Sequence, residues 1–249
     1  MSLLRIFILT TICLFNNKSS AKSDTLHTID EVIHKFQSLN FNFKTHKDHR
    51  LVFATTYLDS TIEIKKEILN NTFNYPNWVE SIVVDFANLY IHSLESYKSG
   101  KKTALSWSEA FRINDEKYDK LSVQLMLAMN AHIYHDLPIA LMRNFDKGFS
   151  PEQVKSDFFK MNAVFERLTP KFMAVLYDLE KILGVSDKGI KEWLVFQVVK
   201  TMRSDAWELG VQLFETGPSG RKIMLKRINL NSMDNAALIR AGRFLIPAH

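Results

Sequence analysis

Residues 121–142 read LSVQLMLAMNAHIYHDLPIALM. Apolar side chains fill nearly every direction around a helix through this run, the pattern of a helix enclosed by other helices, so the stretch predicts a central rod in an all-α core. Asn130, His132 and Asp136 interrupt it. Buried polar groups must find partners, so their presence in an apolar rod requires either a hydrogen-bond network or a bound ligand. His132 and Asp136 are four apart and share a face with Leu125 and Ala128. One turn separates them, roughly 6 Å along the axis, close enough to ligate one metal ion or to bond each other. Pro138 predicts a kink or an end to the helix, freeing carbonyls beside these side chains.

The flanking segments carry the same helical spacing. Residues 24–39 form an amphipathic stretch with Ile29, Val32, Ile33 and Phe36, capped by Asp24 or Thr25. A second runs from about Asp48 to Leu69, and a third opens at Pro76 and stops at Gly100. A short helix over Ser106 to Ile113 holds Trp107 and Phe111. Ser150-Pro151 opens another helix, which Thr169-Pro170 is expected to end and restart. Residues 187–215 carry a long stripe with Trp193 and Trp207, ended by Gly217-Pro218; a basic turn at 221–227 and a weaker final helix follow. The expected fold is an all-α, single-domain bundle of roughly eight helices. Gly and Pro are scarce, at 8 and 6 of 249 residues, which disfavours a turn-rich β-sandwich or barrel.

The first residues read as an export signal: Arg5, an apolar core from Ile6 to Phe15, and small residues Ser19-Ser20-Ala21, placing cleavage near Ala21. The apolar run is about half of the roughly 20 residues that a transmembrane anchor needs. The expected division is therefore a signal peptide over 1–21 and one helical domain over 22–249, exported to a periplasm or secreted, with no transmembrane segment in the mature chain. Cleavage would remove Cys13, the only cysteine, so neither disulfide nor thiolate chemistry is expected afterwards. It would also remove Arg5 and Lys18, lowering the formal charge from +5 to +3, a mild excess that gives no reason to expect nucleic acid. No GxSxG, GxxxxGK[ST], GxGxxG or EF-hand loop appears, which argues against the commonest hydrolase, nucleotide and calcium classes.

His132 and Asp136 are the first candidate site residues. Asp85, at the margin of the third helix's apolar stripe, is the third. His135 extends the pattern to H-x-x-H-D, without the HExxH spacing that marks a zinc site. A buried His-Asp pair that satisfies itself is the competing explanation. His92 lies roughly 10 Å beyond Asp85 along the helix and reads as a boundary residue. His46 and His49 fall in KTHKDHR, a solvated stretch. Arg203, four before Trp207, is a candidate partner for Asp136 or Asp85.

The run MNAHIYHDLPIAL, with the upstream WVESIVVDFANLY, the SWSEAF segment and R-x-x-AW at Arg203 to Trp207, resembles a bacterial family known only as a domain of unknown function. Its pattern joins an NAHI-x-x-DL block, a preceding FA-x-x-Y helix and a W-x-x-AF segment. The resemblance spans about residues 50–210. It implies a helical fold with a polar site at Asp85, Tyr90, Trp107, Asn130, His132, Asp136, Arg203 and Trp207, and brings no reaction with it. Tyr134 stands where the pattern has Asn, and His135 falls where it fixes no histidine, which weakens a ligand set built on His135.

Two functions fit. In the first, His132, Asp136 and Asp85 line a cleft of an exported hydrolase of esters or phosphoesters. They bind a divalent metal that activates water, or His132 acts as base with Asp136 orienting it. In the second, His132, Asp136 and Arg203 form a closed network in a non-enzymatic binding or scaffold protein, whose interior or groove holds a small-molecule or lipid-like ligand. Asn130, Tyr90, Trp107, Arg203 and Trp207 are the expected ligand-binding residues in either case.

Overall fold

Apolar residues recurring every three to four positions, with few glycines or prolines between them, leave helix as the local solution. The computed structural model describes residues 25–115, 121–183 and 192–241, and all regular structure in them is helical. The proposed signal segment lies outside the described residues. The helices are α1 (Ile29–Thr45), α2 (Leu51–Leu69), α3 (Pro76–Lys98), α4 (Leu105–Asp115) and α5 (Leu121–Met129). A π-helical stretch (Asn130–Asp136) joins α5 to α6 (Leu137–Asp146), and α7 (Pro151–Leu183), α8 (Glu192–Glu215) and α9 (Pro218–Arg240) follow. Since α5, the π stretch and α6 form one continuous rod, the described residues hold eight helices. The fold is an all-α bundle.

That rod is the axis. Every residue of α5 is buried. Around the rod, α2, α4, α7 and α9 pack on α5; α3, α4, α8 and α9 pack on the π stretch; and α8 and α3 cover α6. One apolar cluster runs through these helices, with Trp78, Trp107 and Trp207 among the largest buried side chains. No helix of the described residues is long and apolar enough to cross a membrane.

Several boundaries differ from the reading of the sequence. The cap of α1 is Thr28, whose hydroxyl accepts from the Glu31 N–H at 3.2 Å, rather than Asp24 or Thr25. Gly100 does stop α3, at φ +66°, a left-handed conformation that glycine adopts without steric cost. Pro138 does not end its helix. It lies in the first turn of α6, directly after the π stretch, where Leu137 N–H reaches back five residues to the His132 carbonyl. The wider turn accommodates the ring, which would otherwise clash with the carbonyl four residues back.

Pro170 likewise leaves α7 unbroken. An interior proline costs about 3 kcal/mol, but Phe172, Leu176 and Leu179 beyond it are buried, and each contributes roughly 1.5–3 kcal/mol. The basic segment 221–227 is not a turn but part of α9. Arg221 donates to the Leu213, Phe214 and Thr216 carbonyls at the end of α8 and pairs with both Asp146 oxygens at 2.8 and 2.9 Å. It thereby ties α9 to the ends of α8 and α6.

Candidate functional site

Asp136 is 1% exposed at the end of the π stretch and gathers three N–H groups. Trp107 Nε1 donates to its Oδ2 at 2.7 Å, His135 Nδ1 donates to its Oδ1 at 2.8 Å, and His132 Nδ1 lies 3.4 Å from Oδ2. Burial, the strongest single influence, pushes this carboxyl up, yet the hydrogen bonds and charges of His132 and His135 together bring it below its ordinary value. Asp136 is therefore an ion at neutral pH. Trp107 reaches it from α4, where its indole also stacks on Phe111.

His132, 3% exposed, lies between aromatic rings. It stacks on Phe86 with centroids 3.3 Å apart and planes 10° apart, and meets Phe53 and Tyr57 edge-on. Burial lowers its pKa below the ordinary histidine value, outweighing the hydrogen bond and charge of Asp136. With Nδ1–H turned to Asp136, the neutral ring leaves Nε2 as a bare acceptor. That atom is buried with no hydrogen-bond partner among the described residues.

His132 is part of the wall of a cavity of about 100 Å³, partly open to solvent. Its wall is overwhelmingly apolar, drawn from α2, α3, the central rod, α7 and α8, with Phe86, Ile64, Met161 and Phe172 among its members. The few polar contributors are mostly satisfied locally. The hydroxyls of Thr56, Ser60, Thr61 and Thr169 each donate to the carbonyl four residues back in their own helix, at 2.8–2.9 Å. Tyr57, whose hydroxyl donates to the Val83 carbonyl at 3.3 Å, is held neutral by burial, which raises its pKa.

The expected site residues divide into separate places. His132, Asp136 and Trp107 are together, and His135, discounted by the resemblance, joins them through Asp136. Asp85 does not. On a helix, consecutive residues diverge by about 100°, so with Phe86 turned to His132 the Asp85 side chain faces α6, where Lys147 Nζ and Asn144 Nδ2 donate to it at 2.6 and 2.7 Å. It belongs to a different, polar cleft with Ser81, Glu80 and Asn88. Among the described residues no group of three or more His, Cys, Asp or Glu side chains is placed to hold a metal ion. The three residues expected to hold a metal, His132, Asp136 and Asp85, are not brought together: Asp85 stands apart from the other two.

Arg203 pairs with neither Asp136 nor Asp85. Its Nε donates to Asn162 Oδ1 at 2.8 Å and its Nη2 to the Phe158 carbonyl at 3.1 Å, so it lies outside the His-Asp network while sharing the cavity wall with His132. Asn130 donates to the Ser232 carbonyl of α9 at 2.7 Å. Tyr90 is buried against Trp107 and Phe53, and Trp207 packs on Phe145 and Phe158. These three residues are not in the cavity wall. His49, assigned to a solvated stretch, is buried, with Nδ1 2.8 Å from Gln124 Nε2.

Sequence reasoning missed Phe86 as the stacking partner and the hydroxyl row Thr56, Ser60 and Thr61. Polar residues at i, i+4 and i+5 within the apolar face of α2 were the available signal.

A family profile described as a family of unknown function (DUF5995) matches residues 29–242, a span that includes every residue of this site. No curated protein and no solved structure matches the chain. Since the match extends over α1 to α9, with the rod, its polar cluster and the adjoining cavity all inside it, the chain belongs to that family of unknown function.

Proposed function

We propose that the protein binds a small apolar or lipid-like molecule in the cavity beside His132, as an exported, non-enzymatic binding protein whose residues 1–21 are removed near Ala21. The observation that carries this reading is the cavity itself, about 100 Å³ of apolar-walled space with His132 in its wall. Well-packed interiors leave few voids larger than a water molecule. An enclosed apolar cavity of this order takes a benzene-sized ring, and a longer guest extends through the open side. The Asp136 cluster supports the wall by fixing the ring of His132.

The test is titration with the neutral fluorophore N-phenylnaphthylamine. A saturable rise in emission is expected, weakened by about tenfold or more in Ser60→Phe, which places a ring in the space. A wild-type protein giving no saturable signal would end the reading.

The bare Nε2 acceptor, with Asp136 on the opposite ring nitrogen, favours a second reading in which His132 is a general base. It would take a proton from a water attacking an ester or phosphoester carried into the cavity. Hydrolysis of p-nitrophenyl butyrate should then fall about 100-fold or more in His132→Gln, the scale of a lost general base. Equal rates in the two proteins would remove the enzyme from consideration.

A further inference from the structure

Arg203 is the one strongly basic group in the cavity wall. It enters from α8, is 4% exposed, and lies against two rings, with its guanidinium carbon 4.3 Å from the centre of Phe158 and 4.7 Å from that of Phe165. Its hydrogen-bond acceptors, Asn162 Oδ1 and the Phe158 carbonyl, are neutral. Among the described residues it has no carboxylate partner. The other deeply buried charges are treated differently: Asp136 gathers three N–H groups, and Glu109 takes both Arg112 and Arg240.

A guanidinium out of water needs countercharge, and its planar fork of donors matches a carboxylate. Burial pulls the pKa of Arg203 down to about 9, so it is still a cation at neutral pH but one whose charge is poorly supported by its surroundings. His132, on the same wall, offers a lone pair and cannot take an anion. The acid group of a ligand therefore has one place to go.

We propose, resting on the reading that the cavity binds an apolar molecule, that its ligand is a single-chain carboxylic acid. The carboxylate pairs with Arg203 and the chain lies along Ile64, Ile82, Met161 and Phe172. The buried cation is then the ligand's recognition element, completed only when the acid is bound.

Displacement of N-phenylnaphthylamine by decanoate, decanol and decyltrimethylammonium at neutral pH tests this. Decanoate should bind at least about tenfold more tightly than decanol, the cation should bind worst, and Arg203→Met should weaken decanoate at least about tenfold more than it weakens decanol, erasing the preference. Arg203→Lys, which keeps a charge and loses the fork, should retain part of it. If Arg203→Met does not fold, the wild-type ranking and the lysine variant decide. Equal affinities for acid and alcohol, a preference that survives in Arg203→Met, or a bound fluorophore that no decyl compound displaces would each overturn the carboxylate while leaving the cavity reading in place. A fluorophore that does not bind overturns both.

Discussion

A carboxylate taken out of water is stable only while enough donors surround it, and Asp136 shows how few those are. Trp107→Phe keeps the ring stacked on Phe111 but removes the 2.7 Å bond, so urea unfolding should show a loss of about 1.5–3 kcal/mol, the range for a bond to a charged group. The pH dependence has two parts. His132 is depressed below 6.5, so the unfolded chain takes up a proton that the folded one refuses; its contribution is complete above 6.5 and is lost as pH falls from there toward the folded pKa. Asp136 is depressed below 3.8, and its contribution is lost below that value. Stability should therefore decline below 6.5 by up to about 1.4 kcal/mol per pH unit for the His132 proton, with a shallower decline in His132→Gln. The couple was legible because polar letters stand out in an apolar run. The orientation of Asp85 was not, because a stripe's margin fixes rotation only to within a residue or so, and Phe86 occupied the inward position instead.

Helix propensity and helix packing pull in opposite directions at Gly210 of α8. A Cβ there would lie 2.7 Å from Leu141 Cβ on α6, so the two helices approach too closely for any side chain. Alanine is favoured over glycine in a helix by about 1 kcal/mol, yet Gly210→Ala should lower the melting temperature, because overpacking costs about 1–3 kcal/mol and Leu141 Cβ cannot swing away. Leu141→Ala, which keeps that Cβ, should recover only part of the loss. Pro170→Ala is expected to act the other way. Position 170 is exposed and already helical, so replacing the ring should raise stability, by up to about 3 kcal/mol in chemical unfolding. The existence of each helix followed from apolar spacing together with the caps and prolines that bound it, although 221–227, which reads as a turn, is helical. The outcome at both Pro138 and Pro170 did not, since it turns on what the residues beyond the proline bury.

The cavity belongs to the molecule as a whole. Its wall is assembled from five parts of the chain between Phe53 and Arg203, and empty space has no letter in a sequence. This is why His132 could be nominated while its surroundings could not, and why Arg203 appeared as a partner for an acid inside the chain. A guest that binds only the folded state stabilises all of it, by about 2.7 kcal/mol at a hundred times its dissociation constant. Decanol at that level should therefore raise the thermal midpoint of the wild type and move that of Ser60→Phe far less; identical shifts would place the guest elsewhere.

The π stretch also dictates where the chain can change length. Leu137 reaches back five residues because the segment carries more chain per turn than an α-helix does, and the halves on either side are already docked on different neighbours. Deleting Ala131 would remove that surplus and let the rod close into a regular helix with its halves still docked, but it would move His132 by one position, about 100° around the axis, and carry the imidazole off its ring partner. A residue inserted at Lys101 or Lys102, in the exposed link before α4, meets no such penalty and should leave fluorophore binding intact. A change of length at the bundle's periphery thus leaves the site alone, whereas one within these seven residues of its axis redirects the side chains that build it.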